Sequence, residues 1–158
     1  NDKKFTNNIM ELTSLINSYG LLSKAHNCDY LELNTLSTIP KYGINGVNIA
    51  PEYGIAETKA IISLCEDNGL EDELNSFYAL SHKSNKWDKW LKPESTLSEN
   101  QKAVLSGHYI FSSEEFKELA NKINFKLDKV GIQFNNELYK AVYRSIKNSI
   151  KGLNWKNI

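Results

Sequence analysis

The chain has 158 residues, enough for one domain with a sizeable hydrophobic core. Its 19 basic and 19 acidic residues give a formal net charge of zero, which argues against a strongly basic nucleic-acid binder or a polybasic membrane module. No apolar run approaches the roughly 20 residues that span a bilayer, and no signal peptide is visible, while the absence of an initial Met suggests a processed or truncated start. We expect Cys28 and Cys65 to be reduced. The composition therefore favours a cytoplasmic protein with neither nucleic-acid nor membrane partners.

The first third of the chain predicts a helix followed by a strand–helix–strand unit. Apolar residues at spacings of three and four predict an amphipathic helix that ends at Gly20, and they are Phe5, Ile9, Leu12, Ile16 and Tyr19. Two short apolar runs predict strands, at residues 21–25 and 44–49. Between them, residues 31–42 predict a short helix that ends near Pro40. This order predicts two parallel strands joined by a helical crossover.

From about residue 55 the pattern is helical almost throughout. Helices are predicted over residues 55–68 and 70–84, and a last helix begins near residue 135 or 136. Two sequences resemble capping boxes that each open a helix, namely Ser98-x-x-Gln101 and Ser112-x-x-Glu115. The chain as a whole is therefore predicted to be a mostly helical α/β protein.

Polar residues that can do chemistry follow both predicted strands. They are His26, Asn27 and Asp29 after the first strand, and Asn48, Glu52 and Tyr53 after the second. The carboxyl ends of parallel strands are where ligands bind in α/β folds. These six residues are therefore the candidate site.

Each of these residues has a structural alternative. His26 is either a metal ligand or a histidine hydrogen-bonded at a strand end. Asp29 and Glu52 are either a carboxylate pair for acid–base chemistry or acids placed near helix N-termini. Asn48 contacts either a substrate hydroxyl or a buried polar network. Tyr53 either covers a sugar face or belongs to the core.

Two tryptophans, Trp87 and Trp90, lie three residues apart beside several lysines. Such a pattern is compatible with a surface that stacks on sugars or nucleic acid. We favour the alternative that both tryptophans anchor the helical part of the chain on the rest of the fold or on a partner.

The motif H-N-C-D-Y at residues 26–30 is followed, about twenty residues on, by G-V-N-I-A-P-E-Y-G-I-A-E-T at residues 46–58. Together they resemble the final two strand–helix units of a class II aldolase-type (β/α)8 (TIM) barrel. More specifically, they resemble the tagatose-bisphosphate aldolase-like group, which includes the non-catalytic Z-type subunits. The resemblance covers residues 12–69. It implies that residues 1–69 are the last part of a barrel and that residues 70–158 form a helical C-terminal extension.

The resemblance implies part of a metal-dependent sugar-phosphate lyase or epimerase of carbohydrate metabolism. His26 would be a ligand of a divalent metal, with zinc the expected ion. Asp29 and Glu52 would be the catalytic carboxylates, and three residues would contact the sugar phosphate, namely Asn27, Asn48 and Tyr53. Two departures matter: residues 27–30 replace a glycine-rich phosphate turn, and the first six strand–helix units are not in this sequence. The catalytic set is therefore incomplete in this chain.

The main alternative is a non-catalytic structural subunit or helical interaction domain that stabilises a partner aldolase subunit. Exposed tryptophans and an apolar stripe on the last helix would support it. Homo-oligomer formation is compatible with either function. A third hypothesis is an all-helical binding domain in which the two apparent strands are buried loops.

Overall fold

The computed structural model describes residues 2–92 and 94–154, which are mostly helical with two short strands, as the sequence predicts. In chain order the elements are α1 (Asp2–Ser18), β1 (Lys24–Ala25), α2 (Leu33–Leu36), β2 (Gly46–Val47), α3 (Pro51–Asp67), α4 (Glu71–Lys83), α5 (Glu99–Ser106), α6 (Glu114–Asp128) and α7 (Phe134–Leu153). Short 3₁₀ turns lie at Pro40–Tyr42, Asp88–Trp90 and Gly107–Tyr109. None of the helices in the described ranges combines the length and apolar composition that crossing a bilayer requires.

The two strands pair in parallel, with Lys24 opposite Gly46 and Ala25 opposite Val47. The pairing continues past the strand ends, where the Asn48 amide donates to the Ala25 carbonyl at 2.9 Å and the Cys28 amide to the Asn48 carbonyl at 3.0 Å. Both strands are shorter than the apolar runs predict. Each has one strand neighbour within the described residues, so only a few residues adopt a regular ladder.

The chain divides into two compact units. Unit 1 contains the described residues up to Glu52 together with those from Arg144 onward, and unit 2 is Tyr53–Tyr143. The predicted boundary between residues 69 and 70 concerns the end of a barrel, so it stays a prediction.

Unit 1 has a small core around the strand pair. Its buried members are Cys28, Leu36, Ile39 and Leu153, with Ala25, Ile44, Val47 and Ile49 packed against them. Helix α1 is fixed by the hydroxyl of Thr13, which donates to the carbonyl of Tyr42 at 2.6 Å. Much of the apolar side of α1 is nevertheless exposed, at Phe5, Leu12 and Leu15.

Unit 2 has the larger core, built by α3, α4, α6 and the start of α7. Its most deeply buried side chains are Ile61, Cys65, Phe77, Ile123 and Leu127. The rings of Phe77 and Phe116 meet edge to face with centroids 6.1 Å apart. An ion pair between Lys126 and the buried carboxylate of Glu73, at 2.6 Å, links α6 to α4. The stability of this unit therefore comes mainly from apolar packing.

Helices α5 and α6 both begin at serine caps. Ser98 and Gln101 form a complete capping box at the start of α5, so that prediction is confirmed. For α6 the predicted cap was wrong by one residue: Ser113, not Ser112, accepts a hydrogen bond from the amide of Phe116 at 3.2 Å.

Candidate functional site at the strand ends

Five of the six predicted site residues lie in unit 1, just beyond the carboxyl ends of β1 and β2. We call them the strand-end site: His26, Asn27, Asp29, Asn48 and Glu52. Extending the observed register by one residue places His26 opposite Asn48. Neighbouring parallel strands lie about 4.8 Å apart. These two residues therefore occupy corresponding positions at one edge of the pair.

Asp29 caps helix α3. Its Oδ1 atom accepts hydrogen bonds from the amides of Ala50, at 3.0 Å, and Glu52, at 2.9 Å. Amides in the first turn of a helix have no partner within the helix, and a carboxylate there also interacts favourably with the helix dipole. This cap explains why α3 begins at Pro51, four residues before the start that the apolar pattern predicts.

Glu52 makes the reciprocal contact. Its Oε2 atom accepts a hydrogen bond from the amide of Tyr30 at 2.7 Å. Tyr30 and Asn27 both have positive φ angles, 59° and 56°, in a region that most residues with side chains avoid. Each carboxylate thus holds the segment that carries the other, and together they fix the loop after β1 against the start of α3.

The side chains of His26, Asn27 and Asn48 are exposed. Within residues 2–92 and 94–154, none of the three has a hydrogen-bond partner for its side chain. An exposed imidazole and two exposed amides are free to bind a ligand. The strand-end site therefore separates into two anchored carboxylates and three available polar groups.

A metal at this site would find one good ligand, His26. The described part of the chain contains no group of three or more His, Cys, Asp or Glu residues that could hold a metal ion. The described residues thus supply one metal ligand, His26, and do not form a complete metal site.

Tyr53, the sixth predicted residue, lies in unit 2 and is half-buried. Cys28, which the sequence offered no reason to choose, is part of the strand-end structure through its amide bond to Asn48. Burial is the main cause that raises the pKa of the Cys28 thiol, so this group is protonated and packs as a small apolar side chain.

A second polar cluster, in unit 2, was not foreseen. His82 pairs with Glu99 and stacks on Trp87, with ring centroids 5.2 Å apart, and the Trp87 indole N–H donates to the His82 carbonyl at 3.0 Å. Trp87 therefore anchors the end of α4, whereas Trp90 remains 47% exposed. No sequence signal links these residues, because a histidine and an acid 17 positions apart form no recognised spacing.

Comparisons of the chain with protein-family models, with curated proteins and with solved structures gave no match. What the strand-end site does must therefore be inferred from its own residues and geometry.

Proposed function

We propose that this chain contributes the closing strand–helix units of a (β/α)8 barrel of the class II, tagatose-bisphosphate aldolase type, with the strand-end site facing a sugar phosphate. One observation carries the proposal. Two parallel strands joined through a helical crossover place an exposed histidine and an exposed asparagine opposite each other just past their carboxyl ends. In parallel α/β folds this edge is the ligand-binding edge.

The unpaired edges of the strand pair favour pairing with further strands. Parallel sheets normally have several strands and are covered on both faces. In the described residues β1 and β2 pair only with each other, and the two residues Leu21 and Leu22 just before β1 are largely exposed. In this proposal the missing strands come from a preceding segment or from a partner aldolase subunit.

Asn48 and His26 are the residues that would meet the substrate. The amide of Asn48 both donates and accepts, which suits a sugar hydroxyl, and Asn27, next to His26 in sequence, carries a second exposed amide. His26 would supply one imidazole ligand to a divalent metal, with zinc the expected ion. When bound, such a metal polarises the ketose carbonyl and stabilises the negative charge that develops on cleavage.

Asp29 and Glu52 act as positioning residues in this proposal. Both already accept hydrogen bonds from backbone amides. Their first task is to hold the loop of residues 27–30 and the start of α3 so that His26 and Asn48 keep their places. A general acid or base for the cleavage step would come from the other strands of the barrel.

The test is a titration of the ¹⁵N-labelled chain with a ketose 1,6-bisphosphate, followed by NMR. We expect the His26 and Asn48 signals to shift first, and Asn48→Ala to weaken binding about tenfold or more, as loss of a hydrogen bond to a ligand hydroxyl does. Asn34→Ala is the matched control, since Asn34 is exposed in the same unit. Shifts confined to residues away from the strand ends, or equal affinity in Asn48→Ala and Asn34→Ala, would reject the proposal.

A second candidate function is supported by the exposed apolar side of α1. An apolar stripe of the kind that marks protein–protein contacts is formed by Phe5, Leu12 and Leu15. In that case the chain is an interaction domain that stabilises a partner aldolase subunit, or a second copy of itself. Sedimentation of the purified chain distinguishes the occupants: self-association that Leu12→Gln abolishes and the exposed-site control Asn8→Gln preserves indicates a second copy.

We place the protein in the cytoplasm. Cys28 and Cys65 are both free and buried, which suits a reducing compartment. Mass spectrometry of the chain after alkylation without reductant should show two free thiols once the protein is unfolded.

A further inference from the structure

Two aromatic rings of unit 2 converge on one ammonium group. The Nζ atom of Lys89 lies 5.1 Å from the centroid of Trp90 and 4.3 Å from that of Tyr109. The rings come from different 3₁₀ turns, Asp88–Trp90 and Gly107–Tyr109. We call Trp90 and Tyr109 the aromatic pair.

The aromatic pair differs from the other lysine–ring contacts of the described residues. Lys102 lies over Trp87 alone and Lys129 over Phe125 alone. Since both distances to Lys89 are short, the two centroids of the aromatic pair lie less than about 10 Å apart, and one cation is within reach of both rings. The aromatic pair therefore shares a single positive group, which here belongs to the chain itself.

A neighbouring imidazole adds an unused polar group. The ring centroids of His108 and Tyr109 lie 4.0 Å apart. The Nδ1 atom of His108 is buried without a hydrogen-bond partner among the residues described. Burial, and then the charge of Lys89, lower the pKa of His108. The imidazole is consequently neutral at pH 7 and does not repel a cation.

We propose that the aromatic pair is a binding site for a small quaternary ammonium compound, with Lys89 as its internal competitor. This site is separate from the strand-end site and goes beyond the function proposed above. A quaternary ammonium is attracted to ring faces as a lysine is, but it is larger and more weakly hydrated, so it gives up less on leaving water. Aromatic surroundings are the usual way in which proteins recognise this group.

Lys89 competes because it is tethered next to the site. A short tether keeps a group at an effective concentration in the millimolar range or above. A free ligand must displace it, so the wild-type chain should bind more weakly than a chain without this lysine. The competition provides a signature that an ordinary surface contact would not give.

The experiment is an NMR titration of the full chain with tetramethylammonium chloride, followed through the tryptophan indole N–H signals. We expect the Trp90 signal to shift in a saturable way, and the dissociation constant to fall at least threefold in Lys89→Ala. The exposed-lysine control Lys86→Ala should bind like wild type. The Trp87 indole, which is hydrogen-bonded to His82, serves as the internal reference.

Two further variants make the test independent of folding. Tyr109→Leu should abolish binding, while Tyr109→Phe keeps a ring and should retain it; the thermal midpoint of each variant shows whether it is folded. The proposal is overturned if sodium chloride at equal ionic strength produces the same shifts. It is also overturned if Lys89→Ala and Lys86→Ala bind alike, or if a folded Tyr109→Leu chain binds as tightly as wild type.

Discussion

Asp29 and Glu52 each satisfy backbone amides of the segment that carries the other. Asp29 holds two amides at the start of α3, and Glu52 holds the amide of Tyr30. Amides near a helix start have no partner within the helix, so a carboxylate that accepts from them stabilises the turn. These contacts therefore help to hold a loop with two positive φ angles against the start of α3.

Replacing Asp29 should reveal this role. We expect Asp29→Ala to lower the free energy of unfolding by about 1–2 kcal/mol, because it removes a helix cap, and Asp29→Asn to cost less than half as much, since an amide oxygen still accepts. Urea unfolding followed by circular dichroism measures the difference. Glu11→Ala, on the exposed side of α1, is the control and should be nearly neutral. Equal losses in Asp29→Ala and Asp29→Asn would show that the cap is not what the side chain contributes.

The buried thiol of Cys65 predicts that the free energy of unfolding depends on pH. Burial raises its pKa to about 11, with the charge of Glu73 a smaller cause, whereas an unfolded thiol titrates near 8.5. As the pH rises, the unfolded state loses the thiol proton before the folded state does. The contribution of the Cys65 thiol to stability is therefore complete below about pH 8.5 and is lost as the pH rises towards 11. The fall in unfolding free energy between pH 8 and about pH 10.5 should be smaller in Cys65→Ala than in wild type. The exposed control Ser63→Ala should fall as wild type does, and identical slopes in all three chains would contradict the prediction.

At the scale of elements, α3 packs closely on the turn Gly107–Tyr109. A Cβ atom on Gly107 would lie 2.5 Å from Cγ2 of Thr58 and 2.9 Å from the Phe77 ring. A Cβ on Gly54 would likewise lie 2.7 Å from His108. Glycine is needed at these two points because the backbone of one element touches the side chains of the other.

Gly107→Ala should therefore destabilise the protein by about 1–3 kcal/mol, the usual range for overpacking. The double variant Gly107→Ala, Thr58→Ser should recover part of this loss, because serine removes the clashing methyl group and keeps the hydroxyl that donates to Gly54. Thermal unfolding measures both. Gly46→Ala is the control, since its Cβ would meet only the Lys24 side chain at 3.7 Å; a Gly107→Ala chain as stable as this control would disprove the packing argument.

The elements also show what a sequence can predict. The Ser98 capping box was predictable because both of its residues lie within four positions. Between Ser112 and Ser113 the pattern alone could not choose, because either serine can precede the helix. The start of α3 depends on Asp29, more than twenty residues away, and no local pattern reports such a contact. Strand lengths likewise depend on pairing partners.

For the strand-end site, sequence position was enough to predict that His26 and Asn48 lie at the same edge, since consecutive parallel strands end at the same edge. It did not reveal that Asp29 and Glu52 face backbone amides, because acids near a helix start serve equally well as caps or as catalytic groups. The hydrogen bonds of the structure show the contacts to backbone amides, and a catalytic role for either carboxylate stays a prediction.

At the scale of the whole molecule, the two units differ in how well they bury apolar surface. Among the residues that the structure describes, unit 2 encloses a core of twelve buried residues, whereas the core of unit 1 has four. Unit 1 also leaves the apolar side of α1 and the residues before β1 exposed. A strand pair with open edges and so small a core gains stability when further elements cover it. Unit 1 is therefore the part of the chain that we expect to associate with more protein.

In the function proposed above, His26 and Asn48 form the metal and sugar edge of an aldolase-type barrel. The most direct measurement is paramagnetic line broadening by substoichiometric Mn²⁺ in the presence of a ketose 1,6-bisphosphate. We predict that the signals of the His26 imidazole and the Asn48 amide broaden before all others, and that His26→Ala removes the effect at Asn48. Broadening that begins at the acidic first turn of α4, with the His26 and Asn48 signals unchanged, would contradict the claim.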